Sequence, residues 1–120
     1  MARIAAVVST VFALGCLAVL VAQERPAYVI TEVSIQDRIA YQEYEADFMP
    51  TLEPYGGVLV AISDEPAVLE GEWSPERVVV LRFDSRQRAL DWYQSSEYQQ
   101  LAVLRRAMST GTDILIDGRR

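Results

Sequence analysis

Arg77-Val78-Val79-Val80-Leu81-Arg82-Phe83 is followed directly by Asp84-Ser85 and then by Gln87, Ala89, Leu90, Trp92 and Tyr93. The first seven residues are β-branched or apolar between charged punctuation, which predicts a strand. Successive side chains of a strand point to opposite faces. Val79, Leu81 and Phe83 therefore share one face, and Val78 and Val80 share the other. Both faces are apolar. Asp84 with Gln87 three residues on has the form of a capping box and predicts a helix through Ala89, Leu90, Trp92 and Tyr93.

Downstream, Ser96 with Gln99 repeats that signal and opens a further helix to Met108, and Gly111 leads into a last strand, Thr112 to Ile116. Upstream, Val58 to Ile62 predicts a strand in which Val58, Val60 and Ile62 oppose Leu59 and Ala61. The connection from Ser63 to Pro75 is polar around Ala67 to Leu69. Before it, Ala40, Tyr41, Tyr44 and Phe48 recur at helical spacing, with Asp37 placed to cap them. Pro50 and Pro54 break or kink that helix, Gly56-Gly57 ends it, and Tyr28 to Ile35 predicts the first strand. The order strand, helix, strand, strand, helix pair, strand is the split βαβ pattern of an α+β, ferredoxin-like fold, an antiparallel sheet with helices on one face.

Helices can cover only one face of such a sheet, so the second apolar face needs a partner. Two sheets packed face to face in a symmetric homodimer would bury it, which predicts a dimeric α/β barrel.

The amino terminus has a different composition. Met1-Ala2-Arg3 is a short positive start, and from Ile4 to Ala22 no residue is charged. As a helix that run would be roughly 28 Å long at about 1.5 Å per residue, close to the bilayer's hydrocarbon thickness. Residues 1–25 are therefore expected to be a hydrophobic helix, either a signal peptide or an uncleaved transmembrane anchor, and residues 26–120 an exported, periplasmic or extracytoplasmic domain. Cys16 after Gly15 resembles a lipoprotein site. Ala13 and the apolar residues that follow speak instead for a cysteine inside the hydrophobic helix.

Charge and composition exclude several functions. The net charge is −6, and beyond residue 25 the chain keeps 9 Arg against 16 acidic residues, or −7. Such a domain repels phosphate backbones, so no nucleic acid is expected as a partner. There is no His, every basic residue is Arg, and the one Cys is Cys16. Thiol and Schiff-base nucleophiles, disulfides, zinc sites and His-ligated haem are excluded together, and no cofactor or metal is expected.

Taken as a set, several short motifs resemble a known family. They are Tyr28-Val29-Ile30, Asp37 with Ala40-Tyr41 and Tyr44, Tyr55-Gly56-Gly57, Leu69-Glu70-Gly71 with Trp73, and Arg77 to Phe83. The densest stretch is Asp84-Ser85, Ala89, Trp92-Tyr93, Ser95-Ser96-Glu97-Tyr98 and Arg105. The sequence from 26 to 118 thereby resembles the bacterial domain of unknown function 1330 family of the dimeric α/β-barrel superfamily. The resemblance implies fold and dimerisation. It implies no activity, since the superfamily holds cofactor-free monooxygenases, isomerases and haem enzymes alike. The chain departs from the family pattern after the second strand, where it reads Ala61-Ile62-Ser63-Asp64, and at Ser96.

Candidate pocket residues follow from side-chain chemistry. Arg105 shares a helical face with Tyr98, Leu101 and Ala102, and a guanidinium on an apolar stripe needs a carboxylate, internal or from a ligand. Tyr28 and Glu32 share a strand face, where Glu32 would pair with Arg82 in an inter-subunit cavity or act as a base. Trp92 and Tyr93 would wall a pocket or fill the core, and Trp73 would cover a partner subunit. Asp113 and Asp117 are scattered carboxylates without calcium-loop spacing. The function expected is a small-molecule ligand-binding or non-catalytic dimeric module. The alternative is a cofactor-independent enzyme, monooxygenase- or isomerase-like, acting on a small organic acid or aromatic.

Overall fold

The computed structural model describes residues 24–120. The expected signal or anchor segment falls outside the described residues, residues 24 and 25 aside. Four strands, β1 (Ala27–Ile35), β2 (Val58–Ser63), β3 (Arg77–Phe83) and β4 (Ser109–Asp117), form one sheet in the order β2-β3-β1-β4. Every neighbouring pair is antiparallel. Helix α1 (Arg38–Leu52) joins β1 to β2, and α2 (Arg86–Gln94) with α3 (Ser96–Met108) joins β3 to β4. Each crossover steps over one strand. This is the ferredoxin-like, split βαβ arrangement with helices on one face, as expected.

The register fixes the two faces. Val29 lies between Leu81 and Leu115, and Thr31 between Val79 and Asp113; these positions face the helices. Tyr28, Ile30 and Glu32 with Val78, Val80, Arg82, Ile114 and Ile116 form the opposite face. In β2 the pairing shifts between Leu59 and Ala61, so that Leu59 opposes Leu81 while Ala61 opposes Val80 and Ile62 opposes Val79. This irregularity corrects the simple alternation expected of Val58 to Ile62. The extra residue of a bulge reverses the facing beyond it, so Ile62 lies on the helix face with Leu59, and Ala61 on the open face with Val58.

Helix caps set where the elements begin. The Asp37 carboxylate accepts the Ala40 N–H at 3.1 Å, as expected. The other two caps stand one residue away from their expected positions. Ser85, not Asp84, accepts from the Arg88 N–H at 3.1 Å, and Ser95, not Ser96, accepts from the Tyr98 N–H at 3.2 Å. Ser95 also donates to the Trp92 carbonyl at 2.7 Å, so one side chain closes α2 and opens α3. Gln87 and Gln99 do not complete capping boxes; they donate to Asp91 and to the Tyr93 carbonyl. Helix α1 carries Pro50 in its last turn, followed by a 3₁₀ turn, Glu53–Tyr55, and Gly56 at φ +67°. At Gly57 a Cβ would come within 2.7 Å of the Phe83 ring, so the chain passes the core there only as glycine.

Two apolar clusters fill the space between helices and sheet. One joins Val29, Leu81 and Phe83 to Leu52, Ala89, Trp92, Tyr98 and Ala102. The other joins Val33 to Tyr41 and Tyr44. Thr31 stands between Val29 and Val33 on the helix-facing side of β1, at the boundary of the two clusters. That boundary is where the site lies.

Candidate ligand cavity

A cavity of about 160 Å³ lies against the helix face of the sheet, beneath α1 and α3. From the sheet it is lined by Thr31, Leu59, Ile62, Val79 and Leu81, and from α1 by Tyr41, Tyr44, Phe48 and Met49. Trp92 and Tyr98 complete its wall. Met49 and Ile62 are about half exposed, at 47% and 51%, whereas Tyr44, Leu81, Trp92 and Tyr98 are buried. The mouth therefore opens between α1 and β2, and the floor is the buried aromatic cluster. Trp92 is held there by its indole N–H, which donates to Thr51 at 3.0 Å, and by the Tyr98 ring 4.1 Å away.

Two arginines reach this cavity in different electrostatic states. Arg77, at the start of β3, is fully engaged. Its Nε and Nη2 donate to the two oxygens of Asp64 at 2.5 and 3.0 Å, its Nη1 to Glu45, and its guanidinium lies 5.5 Å from the centre of the Tyr41 ring. It ties α1 to the loop after β2 beside the mouth.

Arg105 of α3 is buried, with 9% of its side chain exposed. Its Nη2 stands 3.3 Å from Asp113 Oδ2, longer than the about 2.7–2.9 Å of a well-formed charge-assisted hydrogen bond. Among the described residues the Nε–H finds no hydrogen-bond partner, and it has no solvent contact. Asp113 is held from its other oxygen by the Thr31 hydroxyl at 2.5 Å.

The tyrosine hydroxyls around Arg105 are held in their neutral form. Burial pushes Tyr44 well above the ordinary tyrosine range, with Tyr98 and Tyr41 adding to the effect. Burial raises Tyr98 and Tyr41 too, against the opposing charges of Arg105 and Arg77. For Arg105 burial acts to lower the pKa, but Tyr98, Asp113 and Tyr44 outweigh it and hold the guanidinium above its ordinary value. The cavity thus combines a fixed cation, neutral hydroxyls and an apolar wall.

Of the residues singled out in the sequence, Trp92, Tyr98 and Arg105 come together here. Tyr93 packs on Trp92 and Tyr98, with ring centroids 6.3 and 5.5 Å away, behind the wall. Tyr28, Glu32 and Arg82 lie on the opposite face of the sheet. Arg82 is opposite Tyr28 and Glu32 opposite Val78, so the two charges are roughly 13 Å apart at about 3.3 Å per residue. The expected Glu32–Arg82 pair does not form within the chain; Arg82 pairs with Asp84 at 3.2 Å. Thr31, Asp113, Arg77, Tyr41 and Tyr44 complete the site, and sequence reasoning did not assign them to it. The signal for Thr31 was a polar residue among the apolar inward positions of β1, whereas the mixed inward positions of β4 gave none for Asp113. Asp117 pairs with Arg86 at 2.9 Å, and Trp73 is half exposed in the loop before β3. Among the described residues no cluster of three acidic or sulfur ligands could hold a metal ion.

Residues 26–119 match the family model described as domain of unknown function (DUF1330). No match is found among curated proteins. Among solved structures, the chain is similar to the RPA0582 protein of unknown function from Rhodopseudomonas palustris, at 19% identity and a TM-score of 0.68 over 81% of this chain and 85% of that one. SnoaB, a cofactor-independent oxygenase from Streptomyces nogalater, aligns at 16% identity and a TM-score of 0.53 over 80% of this chain and 95% of its own. A dimeric ferredoxin-like protein of unknown function from Thermobifida fusca aligns at 9% identity and a TM-score of 0.55, over 80% and 93%. At these identities the likeness concerns the fold alone.

Proposed function

The chain belongs to the DUF1330 family, and from that premise we propose that it is an exported, homodimeric module that binds a small molecule in the cavity beneath α1 and α3. The observation that carries the reading is Arg105, a buried guanidinium beside the cavity whose Nε–H is unpartnered among the described residues. Buried polar groups are nearly always hydrogen-bonded, and a bound molecule would supply acceptors that the described residues do not.

Dimerisation is supported by the open sheet face, where Val58, Ile114 and Ile116 are between 43% and 53% exposed. The Thermobifida fusca protein of the same fold is dimeric. Export is supported by the uncharged run from Ile4 to Ala22.

A second reading, a cofactor-independent oxygenase, draws support from the Streptomyces nogalater protein. It fits the lining less well. The two carboxylates there, Glu45 and Asp113, are each ion-paired to an arginine, which leaves no free general base. Native mass spectrometry of the full-length protein, purified as expressed, tests the proposal. Two subunits carrying a retained small molecule are expected, and a ligand-free monomer would overturn it.

A further inference from the structure

The unmet polar capacity of the cavity has a sign. Asp113 is engaged through both oxygens, by Thr31 at 2.5 Å and by Arg105 at 3.3 Å. Glu45 is engaged by Arg77. The tyrosine hydroxyls near Arg105 stay protonated, and the guanidinium carries five donors against the Tyr98 hydroxyl and one carboxylate oxygen at long range. The interior is short of acceptors.

The same chain shows how it satisfies a guanidinium in this setting. Arg77 takes two carboxylates, one in the two-pronged geometry that suits a planar fork and one from the side. Among the described residues Arg105 faces one carboxylate, and Arg105 itself lines the cavity. Size limits the rest of the ligand. Apolar cavities of about 150 Å³ accept a single benzene ring, and this one measures about 160 Å³. Phe48, Leu59, Val79, Leu81 and Trp92 offer an apolar wall for such a body.

We infer that the cavity receives a planar monocarboxylate on a single-ring apolar body, its carboxylate taking the second position on Arg105 and its ring lying against Trp92 and Phe48. The inference rests on the proposed ligand-binding reading and names the class of molecule.

The test is calorimetric titration of the full-length protein with benzoate and with benzamide, which share a shape and differ in charge. Benzoate is expected to bind, and benzamide to bind at least about tenfold more weakly, the difference between a charged and a neutral acceptor. Arg105→Gln removes both the charge and the fork, and should remove most of the preference for benzoate. Equal binding of the two compounds would overturn the carboxylate inference and leave the cavity reading standing. Binding of neither would overturn both. The comparison of the two compounds on the unaltered protein decides the matter even if the Arg105 variant does not fold.

Discussion

Arg105 and Asp113, eight positions apart, face each other at 3.3 Å across the junction of α3 with β4, with only the Ser109 to Thr112 segment of β4 between the helix end and the carboxylate. Thr31 of the central strand completes the group from the other side. The pair is largely buried, with 9% and 21% of the two side chains exposed. Removing one partner of such a pair leaves a charge without compensation, at a cost of about 3 kcal/mol or more. Asp113→Asn should therefore lower unfolding free energy by about that amount, and Thr31→Val by about 1 kcal/mol, the worth of one hydrogen bond. Urea unfolding of both variants and of the double variant checks this. Losses that simply add would show that Thr31 does not orient Asp113.

The tyrosines give a prediction at alkaline pH. Tyr41, Tyr44 and Tyr98 have folded pKa values raised above the ordinary 10.0, by burial first. A raised folded value means that the folded protein holds the phenolic proton more tightly than the unfolded chain does. Their contribution is complete below pH 10.0 and is lost as pH rises through the folded values. Half of the six tyrosines should thus resist ionisation past that pH and then titrate together with unfolding, read as phenolate absorbance against circular dichroism. Six independent ionisations centred at one pH in the folded protein would contradict the burial of this cluster.

Strand β3 and the Asp37 cap were legible because their signals are local: a run of Val and Leu, and an Asp three residues before Ala40. The two displaced caps were ambiguous for a local reason too. Asp84 stands beside Ser85 and Ser95 beside Ser96, and each neighbour is a capable cap. Which one is used follows from where pairing of Phe83 with Ala27 ends the strand and where the chain turns after Trp92. The β2 irregularity was hidden because both faces of that strand are apolar, so alternation carries no information about register. The same two-sided apolarity concealed which face holds the cavity, and Tyr28 and Glu32 share a face but the other one. Thr31 and Asp113 are 82 positions apart and meet only through the β1–β4 register, which no local pattern specifies.

The uncharged run Ile4 to Ala22 predicts the fate of the amino terminus. Expressed in a bacterium, the full-length protein should fractionate with membranes, or be trimmed near residue 22 or 23 and released outside the cytoplasm. Fractionation followed by intact-mass measurement distinguishes these outcomes. Full-length protein recovered from the cytosol would contradict export in either form.

Val80 tests the sheet face directed away from the helices. It pairs with Ile30 on one side and Ala61 on the other, near the middle of that face. A lone apolar face of this kind buries itself most simply against a second copy through two-fold symmetry, which sets each Val80 close to its own counterpart. Val80→Asp would then place two carboxylates in a dry seam, where each lacks a partner and repels the other. The helix-side core, built on Leu81 and Phe83, points the other way and is left untouched. Light scattering at micromolar concentration should find a dimer for the unaltered protein and a monomer for the variant, while far-ultraviolet circular dichroism stays the same. A monomer in both would refute the dimer, and a dimer in both would place the interface on another surface.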